Sequence, residues 1–142
     1  YKRQNLKGGY FLAATFARHC MDTGHPGSIV NIASTHGLTG IADRSVYGIS
    51  KGGLIQMTRM MAIEWADKGI RVNAVAPTTV MTPSREQLLS DPAQRDRMLG
   101  RIPIGRFARE EEIAAAVCYL VSPGADAVTG HTLAVDGGLT AI

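Results

Sequence analysis

Tyr47 and Lys51 stand four apart in the run Tyr47-Gly48-Ile49-Ser50-Lys51. On a helix, residues i and i+4 project from one face one turn apart, so a phenol and an ammonium at this spacing share a surface. A neighbouring cation favours phenolate over phenol, and a group poised to exchange a proton near the working pH is a general acid–base. The chemistry this suits is proton transfer to or from an alcohol or carbonyl oxygen. A solvated helical pair that does no chemistry has the same spacing, so the neighbours decide. Ser34 precedes Tyr47 by 13 positions and closes the apolar run Ser28-Ile29-Val30-Asn31-Ile32-Ala33-Ser34. Ligands collect beyond strand ends in open α/β sheets, and a strand end, a loop and a helix start bring both hydroxyls to one point. A turn-forming serine is the plain alternative. His36, two positions on, reads as a solvent-exposed loop residue.

These groups need elements to hold them. Helical spacing of Leu6, Tyr10, Ala13, Ala17 and Cys20 predicts a helix from Asn5 to Met21, with Phe11, Leu12 and Phe16 forming a second apolar surface. The β-branched run ending at Ser34 reads as a buried parallel strand. A second helix runs from about Ser45 to Ala66, with Gly69 at its C-terminal cap, and its Met57, Met60, Met61, Ile63 and Trp65 are apolar on more than one face. Ile70 to Ala76 is a second strand, which Pro77 ends. The stretch from Thr78 to Arg106 is polar and basic, with short helices expected around Ser84–Ser90 and Pro92–Gly100. Such an insertion after a strand reads as a lid or substrate loop, here 82–107. Glu110, Glu111 and Glu112 open a third long helix with charges that complement its dipole. His131 to Val135 forms a last strand before a turn at Asp136-Gly137-Gly138. Strands alternating with helices make one α/β domain over residues 1–142.

Taken together, Ile29 to Ser34, Tyr47 to Lys51, Arg71-Val72-Asn73-Ala74-Val75-Ala76-Pro77, Ile102-Pro103-Ile104-Gly105-Arg106-Phe107 and Thr129-Gly130-His131 through Val135-Asp136-Gly137-Gly138 resemble the short-chain dehydrogenase/reductase family. The resemblance runs from Asn5 to Gly138. It implies a Rossmann-like parallel sheet with flanking helices, of which this sequence represents the C-terminal half. It also implies an NAD- or NADP-dependent interconversion of a secondary alcohol and a ketone. Tyr47 matches the family's acid–base. Lys51 matches the lysine that favours the phenolate and holds the nicotinamide ribose hydroxyls. Ser34 matches the hydroxyl that polarises the substrate carbonyl, and Asn5 the asparagine of a water-mediated proton relay to the lysine. Pro77, Val80 and Thr82 match the segment that receives the nicotinamide carboxamide. Each has a simpler rival: Asn5 as a polar residue at a helix end, Thr82 as a cap for the short helix beyond Pro83.

The sequence departs from the family pattern in three places. The glycine-rich turn that seats a dinucleotide pyrophosphate at a helix N-terminus is absent, as is the residue that selects NAD or NADP. Gly8-Gly9 and Gly52-Gly53 fall in helices instead. The first residues already read as a helix in progress, so the true start is expected upstream. Thr78 replaces the usual glycine after the proline, and Glu110 stands where proline is common. The competing reading is a truncated, non-catalytic, self-associating fragment that cannot bind the dinucleotide. A Ser34–His36 hydrolase is the remote third, because the Gly-x-Ser-x-Gly elbow is missing.

Composition narrows the classes. Charged residues are 19% of the chain, below the roughly 25% usual for soluble domains, which points to surface buried against another chain. The two-faced helices agree, and the family resemblance implies a homodimer or homotetramer. The net charge of +3 is scattered and aromatics are only 6%, against a nucleic-acid interface. No apolar run is long enough to span a membrane. Cys20 and Cys118 lack metal-ligand spacing and read as buried free thiols in a reducing cytoplasm. A small carbonyl or alcohol is the expected substrate.

Overall fold

In the computed structural model, residues 2–141 are described. A π-helical stretch, Lys2–Gly8, leads into α1, Gly9–Thr23. Then come β1 (Gly27–Ile32), α2 (Ser45–Trp65), β2 (Ile70–Pro77), the short α3 (Pro83–Leu88) and α4 (Pro92–Leu99), α5 (Glu110–Val121) and β3 (Thr132–Val135). The strands form a parallel sheet in the order β1-β2-β3. Ile29 pairs with Val72 and Asn31 with Ala74 across β1 and β2, while Val75 pairs with Leu133 across β2 and β3.

Alternation along β2 sorts the layers. Ile70 and Val72 pack with Ala13, Ala17 and Cys20 of α1 and with Met61 and Ala62 of α2. Arg71 points the other way, and its guanidinium donates to the carbonyls of Leu120, Ser122 and Val128 at the end of α5. Helices therefore cover both faces of the sheet. Asn73 is fully buried and satisfied at both ends, donating to Val128 O and accepting from His131 N. Asn31 donates to Thr58 Oγ, which donates to Leu54 O, tying β1 to α2.

The expected elements are present, with local differences. The first helix begins as a π-helix, because wider i→i+5 turns carry nearly the same apolar spacing as α turns over one or two repeats. Strand β1 stops at Ile32, so Ala33 and Ser34 lie just past it, although Ala33 N still donates to Val75 O at 2.7 Å. Cys20 is buried as expected, but Cys118 is exposed: its turn of α5 faces away from the sheet. Gly69 takes a left-handed conformation at φ 71°, closing the turn that follows α2. The second apolar faces lie open, with Tyr10, Phe11, Leu12 and Phe16 of α1 and Val46, Ile49, Met60 and Ile63 of α2 all exposed. No helix among the described residues is long and apolar enough to cross a membrane.

Candidate active site

Beyond the carboxyl ends of β1 and β2 lies an open cavity of about 570 Å³. Ser34, His36, Tyr47, Lys51, Pro77, Val80 and Thr82 all line it. Three routes bring them there. Ser34 follows β1 directly and caps a single 3₁₀ turn, Thr35–Gly37. Tyr47 and Lys51 sit on the first turns of α2, and Pro77 ends β2.

The turn and the helix touch closely because Gly37 has no side chain. A β-carbon there would lie 2.7 Å from Lys51 C and 2.8 Å from Gly52 N, both backbone atoms. That contact brings the turn against the part of α2 that carries Lys51. Ser34 is 6% exposed, and its Oγ accepts from His36 N at 3.2 Å and lies 3.3 Å from His36 Nδ1. The His36 ring meets the Tyr47 ring edge-on, with centroids 5.4 Å apart and planes at 78°. Lys51 Nζ lies 5.8 Å from the centre of the Tyr47 ring and donates to Ile32 O at 2.7 Å. Burial pushes the Lys51 ammonium below its ordinary pKa. Burial also lowers His36, and the positive charges of Arg44 and Arg101 add to the effect.

Asn5 does not line this cavity. Its amide nitrogen donates to Ser50 Oγ at 2.9 Å, and that hydroxyl donates to Tyr47 O at 2.8 Å. The π-helical stretch thus reaches the Tyr47 turn of α2 through a buried serine. Val80 forms a parallel bridge with Ala108 at the neck of the insertion. Thr82 does what its plainer reading expected: its Oγ accepts from Arg85 N and caps α3, while the residue still faces the cavity. Thr78 keeps a negative φ, so replacing glycine there brings no left-handed strain; among non-glycine described residues only Asp43 has a positive φ.

His36 is the residue that sequence reading undervalued. It is half-buried between Ser34 and Tyr47 rather than loose in solvent. The available signal was the pairing of a capping serine with Gly37, which makes a tight turn and draws the intervening side chain inward. Ser50 was missed altogether; it is 3% exposed and links Asn5 to Tyr47. The Ser34–His36 contact does not make a hydrolase pair. A triad histidine is oriented by a carboxylate, whereas the charges acting on His36 here are Arg44 and Arg101.

The family model described as enoyl-(acyl carrier protein) reductase matches residues 3–140. The chain belongs to the short-chain dehydrogenase/reductase family. Among its short-chain dehydrogenase/reductase relatives is 2-(S)-hydroxypropyl-CoM dehydrogenase 3 of Xanthobacter autotrophicus, 46% identical over 138 residues, with 94% of this chain and 54% of the relative covered. Another is L-xylulose reductase of Bos taurus, 42% identical, with 96% and 56% covered. A solved structure of a putative 2-deoxy-D-gluconate 3-dehydrogenase from Agrobacterium tumefaciens with bound NADP superposes with a TM-score of 0.95 at 40% identity. That superposition covers 99% of this chain and 57% of the other. The chain thus spans about half the length of the short-chain dehydrogenase/reductase relatives it matches.

Proposed function

We propose that the protein to which this chain belongs interconverts a secondary alcohol and a ketone with NAD or NADP. The observation that carries the reading is the gathering of Ser34, Tyr47 and Lys51 on one cavity, with His36 bridging the serine and the tyrosine. The cavity fits the nicotinamide end of such a cofactor. It offers an ammonium for ribose hydroxyls at Lys51 and a wall of strand-end residues, Pro77, Val80 and Thr82, for the carboxamide. When bound, the nicotinamide supplies or takes the hydride.

The chain's own residues do the rest. Tyr47 gives a proton to the carbonyl oxygen in reduction and takes it back in oxidation. The Lys51 charge favours the phenolate between those events. Ser34 polarises the same oxygen, and its surroundings prepare it to donate. His36 N–H donates to one lone pair of Ser34 Oγ, and in the tautomer that carries its proton on Nδ1 the ring, 3.3 Å away, fills the other and leaves the hydroxyl proton for substrate. Asn5, held by Ser50, supplies an amide oxygen for a water on the way to Lys51. The insertion 82–107 shapes the pocket for a small carbonyl or alcohol. The exposed apolar faces of α1 and α2 support assembly as a homodimer or homotetramer.

Tyr47→Phe in the full-length protein is the test. Turnover should fall by about 100- to 10,000-fold, the usual span of general acid–base catalysis, while NAD(P)H binding, followed by its fluorescence, persists. Undiminished turnover would overturn the assignment.

A further inference from the structure

We infer that the substrate is an anion, a ketone or alcohol bearing a carboxylate, sulfonate or phosphate, and that Arg44, Arg97 and Arg101 receive that group. The inference rests on the oxidoreductase reading and names its substrate class.

A second hollow of about 370 Å³ adjoins the catalytic cavity. The two share His36, Arg44, Thr78, Thr79 and Met98 as walls, so a molecule whose carbonyl meets Ser34 and Tyr47 extends past His36 into the hollow. Arg97 and Arg101 line its far side with Gln94, and Asp43 is its only acidic lining residue. Three guanidiniums against one carboxylate leave a net positive mouth. All three side chains are exposed at that mouth, so their field is partly screened and weakens with added salt.

Several arginine side chains among the described residues, Arg18 and Arg85 included, make no ion pair or hydrogen bond, and what singles out Arg44, Arg97 and Arg101 is that they line one hollow. Arg71 is committed to three carbonyls, and Arg106 and Arg109 to Glu112. Among the described residues, the side chains of Arg44, Arg97 and Arg101 make no ion pair and no hydrogen bond. Their guanidinium donors are not spent on protein groups and can receive an anion that enters the hollow. The planar fork of a guanidinium matches a carboxylate, sulfonate or phosphate with two parallel hydrogen bonds. His36 senses the same field, since Arg44 and Arg101 both act against its protonation. The groups facing it are Tyr47 and Lys51 on α2, Arg44 before that helix and Arg101 after α4, with Asp43 the acid that shares its hollow.

The experiment compares matched substrates on the full-length protein with one cofactor held constant. Keto acids and their methyl esters of equal chain length would be assayed for kcat/KM, alongside neutral ketones and ketoses. The acids should be preferred over their esters by about 10- to 100-fold, the worth of one or two charge-assisted hydrogen bonds. The preference should shrink with added KCl. Arg97→Gln and Arg101→Gln should collapse the acid-to-ester ratio toward one, through KM for the acid more than through kcat. Because the cofactor is the same in every arm, a phosphate-binding role toward the cofactor would move acid and ester together and would overturn the inference. So would equal use of acid and ester by the unaltered protein. Turnover of neutral ketones alone would reject the anionic class and leave the oxidoreductase reading standing. Turnover of nothing in the panel would bring down both.

Discussion

The two walls of the catalytic cavity are built on opposite terms. The strand-end wall, formed by the ends of β1 and β2 and the start of α2, is buried and internally satisfied. Ser34 lines the cavity and is buried, with its hydroxyl held by His36, and behind the wall the buried Ser50 hydroxyl joins Asn5 to Tyr47 O. The insertion wall, across α3 and α4, is mostly exposed and rests on one small apolar cluster of Leu89, Ile102 and Phe107. Its Arg85 lines the cavity and its Arg97 and Arg101 the adjoining hollow, none with a side-chain ion pair or hydrogen bond among the described residues. A group whose bonding is complete is fixed in place, which a reacting constellation needs. A group whose bonding is incomplete waits for a ligand, which recognition needs. Under the proposed function, the first wall would set the reaction and the second the molecule that undergoes it.

Substitutions can break or sharpen this contrast. The largest effect is expected from Gly37→Ala, on the buried wall. Its methyl group would meet the backbone of Lys51 and Gly52, which cannot yield without moving α2 from the Ser34 turn. Overpacking of this kind costs about 1–3 kcal/mol, so thermal unfolding should shift down by several degrees, and turnover should fall further than that loss of folded protein explains. An unchanged melting temperature would show that the wall is less rigid than its contacts imply. His36→Leu should be milder. It removes one hydrogen bond to Ser34, and kcat should fall by about 5- to 10-fold with KM little changed. His36→Asn, whose amide can donate from near the Nδ1 position, should recover most of that loss; no recovery would mean that His36 acts through bulk alone.

The same residue makes a pH prediction. His36 is held below 6.5 in the folded protein, first by burial and then by Arg44 and Arg101. As pH falls through 6.5 the unfolded chain takes the proton first, so folding stability declines. His36→Asn should flatten that part of the acid unfolding curve. The smallest effect is expected on the insertion side. Glu112 binds Arg106 at 2.7 Å and Arg109 N at 2.9 Å, and the hydrogen bond from Arg106, with that from the Arg109 backbone, holds its carboxyl down at about 2 instead of 4.5. Its contribution is complete above pH 4.5 and disappears as pH falls through about 2. Glu112→Gln should therefore lower the melting temperature slightly at pH 7 and not at all near pH 2, because so exposed a pair is screened by solvent.

What was legible in the sequence follows the same division. Periodicity located α1, α2, α5 and the three strands, because burial on one face imposes a repeat that one chain displays. The ordered motifs placed Ser34, Tyr47 and Lys51 together, and the structure does line one cavity with them. Asn5 was expected to support a water-mediated relay to Lys51, and its contact with Ser50, a residue 45 positions away, is one that no local pattern encodes. His36 read as a loop residue because its burial comes from the close approach of α2 at Gly37, which depends on tertiary packing. Cys118 read as buried because apolar neighbours in sequence surround it, yet the helix turns that position outward. The meeting of Arg44 with Arg97 and Arg101 was invisible for the same reason, since they come from segments on either side of β2 and converge only when the insertion folds back.

The insertion is tied at its neck. Met81 N donates to Ala108 O at 3.0 Å and Ala108 N to Thr79 O at 3.1 Å, while Ile104 N donates to Gly137 O at 3.1 Å. Gly137, left-handed at φ 64°, lies so close to Ile102 and Ile104 that a β-carbon would strike both. The span between these ties is therefore a cassette. Its ends are fixed by backbone hydrogen bonds that do not depend on the residues between them. Closing such a hoop grows dearer only slowly with length, by about 0.6 kcal/mol for each doubling. Segments of different length and charge could thus be grafted between Met81 and Ile102 while the sheet, Ser34, Tyr47 and Lys51 stay in place.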